Sequence, residues 1–182
     1  ILTSNPINDL SGMRWFHLDD FNNDGYIDLA TQSTTEPTEV MFFKYNGIEF
    51  EYVSTLLQDN GNPVISASVM TPTFADIDDD GDIDFFTGNV NGTVNYYENI
   101  TLENGAPIFE FVSSFWQEIL IVGPSQQRHG ASAIRFIDLD GDEDFDLAWG
   151  DYFQRSLYII WNIGTAELAD MDQENFVYQF PV

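Results

Sequence analysis

An all-β fold is predicted for this 182-residue chain by three observations. An Asp-rich loop recurs three times, a strand-like run closing on Asn follows each loop, and the intervening apolar residues alternate with polar ones. Alternation with period two marks a half-buried strand, whereas an amphipathic helix repeats its apolar positions every three or four residues.

The loops run over 20–28, 76–84 and 138–146, so their first residues, Asp20, Asp76 and Asp138, are 56 and 62 residues apart. The Asn-terminated runs are KYN (44–46), YEN (97–99) and IWN (160–162), lying 26, 23 and 24 residues after the opening Asp. Two markers that keep step define a repeat of about sixty residues, and a repeat decides the architecture before any single element does.

Each repeat is expected to hold four short strands. In the first they are Met13–Leu18, Tyr26–Ser33, Glu39–Asn46 and Ile48–Thr55. In the second they are Thr71–Asp76, Ile83–Val90, Thr93–Ile100 and Ile108–Phe115, with Asn91-Gly92 as the hairpin signal between the middle pair. In the third they are Ala131–Asp138, Phe145–Asp151, Ser156–Ile163 and Asn175–Phe180. Thr165–Glu174 is polar and short, and is expected to be a loop. Four antiparallel strands per repeat, without helices, describe the blade of a β-propeller. The expectation is a single propeller segment over 1–182 with blades at about 11–57, 70–116 and 130–181. Rings commonly have four to eight blades, so this segment is expected to be part of a larger propeller or of one assembled from copies. The chain opens on Ile1 without a signal peptide, consistent with a processed form or a piece of something longer.

Composition narrows the function. Apolar residues make up 43 % and aromatics 15 %, enough for a core and unlike a disordered acidic tail. Against 31 acidic residues stand 5 Lys and Arg, a net charge of −26 that repels nucleic acid and anionic membranes and attracts cations. Roughly half of the acids fall in the three loops, which a merely soluble acidic surface would not produce. No cysteine is present, which excludes disulfides and thiolate metal sites. No stretch is long enough for a membrane-spanning helix.

The loops read Asp20-Phe-Asn22-Asn-Asp24-Gly25-Tyr26-Ile-Asp28, Asp76-Ile-Asp78-Asp-Asp80-Gly81-Asp82-Ile-Asp84 and Asp138-Leu-Asp140-Gly-Asp142-Glu143-Asp144-Phe-Asp146. Side-chain oxygens stand at positions 1, 3, 5 and 9 of each, and a tight turn directs 1, 3 and 5 to one side. Position 7 (Tyr26, Asp82, Asp144) offers its backbone carbonyl, which completes the six or more hard oxygen ligands that calcium prefers. Calcium is therefore the expected cofactor, at three sites. Position 6 calls for a left-handed backbone, hence Gly25 and Gly81. Glu143 occupies that place in the third loop, at a cost of about 1–2 kcal/mol if the conformation is kept. Moving Gly141 into position 6 would bring Phe136 to position 1, where it cannot ligate. An EF-hand is excluded because position 12 is Thr31, Thr87 or Trp149 rather than Glu, and because the flanks are strand-like. Magnesium prefers to keep several waters, and zinc wants His or Cys.

Through these loops the chain resembles the FG-GAP/VCBS repeat family, the calcium-bearing blades also found in the integrin α-subunit propeller. DFNNDGYIDLA, FADIDDDGDIDFF and FIDLDGDEDFDLAWG carry the resemblance. It implies an ion between the first and second strands of each blade, and an extracellular or cell-surface setting in adhesion, assembly or glycan-associated proteins. Glu143 departs from the family's Gly.

Catalytic chemistry is not expected. His17 and His129 are the only histidines and lie in different repeats, and the periodic carboxylates fit metal ligation better than a glycosidase pair. The expected function is an extracellular calcium-binding structural or adhesive module whose partners are calcium and further blades or copies of itself. The alternative is a carbohydrate-binding propeller, with Trp116, Tyr152 or Trp161 stacking on sugars. Asn91 and Asn99 each open a glycosylation tripeptide.

Overall fold

The computed structural model describes residues 12–67, 69–102, 106–120, 133–151 and 156–179. Among them there is no α-helix, and the strands arrange into three sheets. The first is β1(Phe16–Asp19), β2(Asp28–Gln32), β3(Val40–Tyr45) and β4(Phe50–Thr55), antiparallel and in chain order. Another is β10(Ala133–Ile137), β11(Asp146–Asp151), β12(Ser156–Ile160) and β13(Val177–Gln179), also antiparallel and in chain order. The sheet between them in sequence has the order β5-β9-β8-β7-β6, built from β5(Leu57–Gln58), β6(Thr73–Ala75), β7(Asp84–Gly88), β8(Val94–Asn99) and β9(Ile108–Ser113).

The all-β expectation therefore holds, and each sheet contains a four-stranded run of the kind propeller blades are made of. One strand was not expected. β5 joins β9 in parallel, with Leu57 opposite Ile108 and Gln58 opposite Phe109, and makes that sheet five-stranded. Two residues carry no readable period, so such a strand is invisible to sequence patterning. The segment Thr165–Glu174 is non-helical, as expected.

Burial explains the sequence of each strand. β1, β4 and β10 alternate between more and less covered residues, while β2 (DLATQ) and β7 (DFFTG) are buried along their length. Inner strands covered on both faces need no polar alternation. Asn91-Gly92 makes the β7–β8 turn, where Asn89 N–H donates to the Thr93 carbonyl at 2.8 Å and Gly92 has φ +86°.

The chain divides into two compact units. One spans 1–68 with 98–111, and the other 69–97 with 112–182. In the first, Leu29, Met41 and Phe43 are buried together, flanked by Phe50 and Tyr52. In the second, Phe86 stacks on Tyr96 with centroids 4.7 Å apart and meets Phe136 edge-on at 4.6 Å. Trp116 belongs to this cluster at 7 % exposure, within a short 3-10 turn over Trp116–Glu118. That corrects one expectation, since a Trp packed on Phe86, Tyr96 and Phe136 cannot stack on a sugar. Trp161 is half-buried, and Tyr152 lies outside the described residues, as does His129.

Candidate metal centre

Each loop connects the first two strands of a four-stranded antiparallel run, β1–β2, β6–β7 and β10–β11. All three close on the carboxylate at position 1, the first two through the N–H groups of positions 5 and 6 and the third through those of positions 4 and 6. The carboxylate at position 1 accepts backbone N–H groups from across the loop: Asp20 from Asp24 (3.0 Å) and Gly25 (2.7 Å), Asp76 from Asp80 and Gly81 (both 3.1 Å), Asp138 from Gly141 (2.6 Å) and Glu143 (3.3 Å). Position 5 then accepts the N–H of position 7, through Asp24, Asp80 and Asp142 at 3.0, 3.0 and 3.3 Å. Short Asp side chains make these bonds because their oxygens reach the backbone only a few residues away.

The backbone has two left-handed positions per loop, not one. Position 6 has φ +87° at Gly25, +95° at Gly81 and +74° at Glu143. Position 4 has φ +54° at Asn23 and Asp79, and +84° at Gly141. The third loop has thus exchanged the two, with glycine at 4 and the L-residue at 6. Asn and Asp tolerate this region better than Glu does. A Cβ added at Gly25, Gly81 or Gly141 would meet nothing within 4 Å, so glycine serves the dihedral and not the space. That is why Glu143 fits at all.

In the second loop, Asp76, Asp78 and Asp80 each bring a carboxylate oxygen within 4.8 Å of the others, and Asp138, Asp140 and Asp142 do the same in the third. Two acidic clusters able to hold a metal ion are thereby assembled. The first loop differs because Asn22 replaces a carboxylate and Lys44 enters from β3. Lys44 Nζ stands 2.7 Å from Asp24 Oδ2 and holds the Asp24 carboxyl below its ordinary value. Lys44 was not foreseen from sequence. The readable signal is its place two residues before Asn46, at the C-terminal end of β3.

Position 9 lies at the start of the second strand and is buried in all three repeats, at Asp28, Asp84 and Asp146. Asp28 Oδ1 accepts Tyr45 N–H at 2.8 Å, and Asp146 Oδ1 accepts Asn162 N–H at 2.9 Å. Asp84 Oδ2 accepts the Tyr96 hydroxyl at 3.0 Å. This carboxylate therefore ties the loop to β3 in the first repeat, to β8 in the second and to the residue pair just past β12 in the third. The Asn marker has its reason at the same place. Asn46, Asn99 and Asn162 turn their Oδ1 onto N–H groups of the following turn, those of Ile48, Thr101 and Gly164, each at 3.0 Å. Asn99 is consequently buried, and of the two glycosylation tripeptides only Asn91 is exposed.

Charge crowding shows in the acidities. Burial pushes Asp28 up to about 6, with Asp24 and Asp20 adding to it. Burial, then Asp142 and Asp146, push Asp144 up to about 6 as well. Burial also raises Asp76 and Asp78. The donors at positions 1, 3, 5 and 9 are all oxygen, with no His or Cys among them. Asp28 is fully buried, yet its Oδ2 has no hydrogen-bond partner. A buried anionic oxygen without a partner costs several kcal/mol unless a cation faces it, so the donor set fits a hard divalent ion.

Residues 20–87 match the family of the FG-GAP-like repeat, a stretch that includes the first two loops and ends in β7. The resemblance read from the sequence is thus found independently in that segment. No curated protein matches the chain. No helix among the described residues is long and apolar enough to cross a membrane.

Proposed function

Starting from the FG-GAP-like repeat at 20–87, we propose that the protein is an extracellular calcium-binding module with a structural or adhesive role rather than a catalytic one. The observation that carries the reading is the recurrence of one loop construction three times, at the same place in each sheet. An active site is built once, whereas a part that stiffens a repeat is built in every repeat. The proposed ligands are Asp20, Asn22, Asp24 and Asp28; Asp76, Asp78, Asp80 and Asp84; and Asp138, Asp140, Asp142 and Asp146. The carbonyls of Tyr26, Asp82 and Asp144 join them. Bound calcium supplies positive charge to carboxylates that otherwise repel one another, and so locks the first hairpin of the sheet. Association with further blades or with copies of this chain belongs to the same proposal. It is supported by three sheets among the described residues against the four to eight blades of closed propellers.

Extracellular calcium sites bind with dissociation constants of about 10⁻⁴–10⁻³ M. At tenfold excess over that constant each site adds about 1.4 kcal/mol, so three add about 4 kcal/mol. For a chain of this size the melting temperature rises by roughly 10 °C. Thermal denaturation followed by circular dichroism in millimolar calcium and in excess chelator, at matched ionic strength, tests this. Coincident melts would refute the structural role of calcium.

A further inference from the structure

We propose that Asn91 carries an N-linked glycan. The proposal rests on the extracellular part of the reading above and not on calcium. Asn91-Gly92-Thr93 is one of two tripeptides in the chain with the Asn-x-Thr pattern, the other being Asn99-Ile100-Thr101. The fold separates them. Asn91 stands at the exposed tip of the β7–β8 hairpin, whose turn closes through the Asn89 N–H and the Thr93 carbonyl at 2.8 Å. Its Oδ1 accepts the Thr93 hydroxyl at 3.0 Å, and nothing among the described residues bonds its Nδ2. The atom that receives the sugar thus has no bond to give up. Val90 beside it is 69 % exposed and offers the first sugar an apolar surface to lie against.

Asn99 is in the opposite state. It is 2 % exposed, its Nδ2 donates to the Phe21 carbonyl at 3.5 Å, and its Oδ1 accepts the Thr101 N–H at 3.0 Å. A glycan is bulky and belongs on the surface, so one at that nitrogen is incompatible with these contacts. Transfer forms a C–N bond from Asn Nδ2 to the anomeric carbon of a lipid-linked oligosaccharide as the C–O bond to the lipid diphosphate breaks, with loss of one Nδ2 proton. A transferase of the secretory route catalyses it on the entering chain, before the strands pack. Thr93, 8 % exposed once the turn has formed, is read at that stage. The structure then decides which glycan the folded chain can keep. The turn follows β7 while the loop 76–84 precedes it, so a glycan on Asn91 lies at the far end of that strand from the proposed calcium ligands.

The test weighs the whole chain, secreted from a eukaryotic host that supplies the lipid-linked donor, before and after treatment with peptide N-glycosidase. That enzyme converts a glycosylated Asn to Asp, which peptide mapping locates. One glycan is expected, at Asn91, absent from Asn91→Gln and retained in Thr93→Ser, whose hydroxyl keeps the tripeptide. An unmodified wild-type mass, or a folded chain glycosylated at Asn99 instead, would overturn the proposal. Melting the same samples in calcium and in chelator keeps the two readings apart. A bare Asn91 in a chain that still melts higher in calcium overturns the glycan alone. A glycosylated chain with coincident melts overturns the calcium reading alone.

Discussion

Glu143 and Lys44 are the two residues at which the loops depart from one another. Glu143 sits at φ +74° where the other loops have glycine, with its N–H still bonded to the position 1 carboxylate. The loop keeps its shape and stores the strain. Glu143→Gly should therefore stabilise the calcium-free protein by about 1 kcal/mol, the left-handed penalty less the extra chain entropy of glycine. Urea denaturation in chelator measures it, and a loss of stability would show that Glu143 makes a compensating contact. Lys44 neutralises part of the first loop through Asp24. A partly exposed ion pair is worth up to about 1 kcal/mol, and an entering calcium has to displace it. Lys44→Met should tighten calcium binding at the first loop about fivefold, as read by calorimetry, at a small loss in stability without calcium. An unchanged affinity would mean that the ammonium and the ion do not compete. The second left-handed position was hidden from single-loop inspection because Asn23 and Asp79 tolerate it. Alignment of the three loops exposes it, since Gly141 is misplaced for position 6 and correctly placed for position 4.

The strands were legible where burial is one-sided and opaque where it is not. β4 and β10 announce themselves by alternation, and the β7–β8 turn by Asn-Gly. β5 has two residues and no period, and the turn at Trp116–Glu118 takes left-handed φ at Gln117 and Glu118, which no residue type there signals. Trp116 reads equally as a core or a sugar-facing aromatic until its neighbours are seen. The start of the second strand carries a titrating group, because Asp28 is buried there beside the loop. Its folded value of about 6 exceeds the ordinary 3.8, so between those values the folded state holds a proton that the unfolded state has released. Stability without calcium therefore falls as pH rises from about 4 to about 6, and is greatest below that window with respect to this group. Calcium binding runs the other way, since the ligand must be deprotonated. The difference in melting temperature between calcium and chelator should accordingly be larger at pH 7.5 than at pH 5. A difference independent of pH would show that the buried carboxylates are not ligands.

Across the whole chain, the three loops look alike in sequence but not in charge. The second and third gather three carboxylates each at positions 1, 3 and 5, while the first gathers two with an amide and an ammonium beside them. The repeat period was readable because loop and Asn marker are two ends of one construction. The position 9 carboxylate ties the loop to the third strand or just past its end, and the Asn closes the turn that follows. A net charge of −26 concentrated in this way is tolerable to a folded chain when cations are shared among the repeats. The most direct measurement is X-ray diffraction from crystals grown in millimolar calcium, with the anomalous signal used to locate the ions. Peaks are predicted inside 20–28, 76–84 and 138–146, each against side chains 1, 3, 5 and 9 and the carbonyl of residue 7. Loops without peaks at saturating calcium would contradict the account.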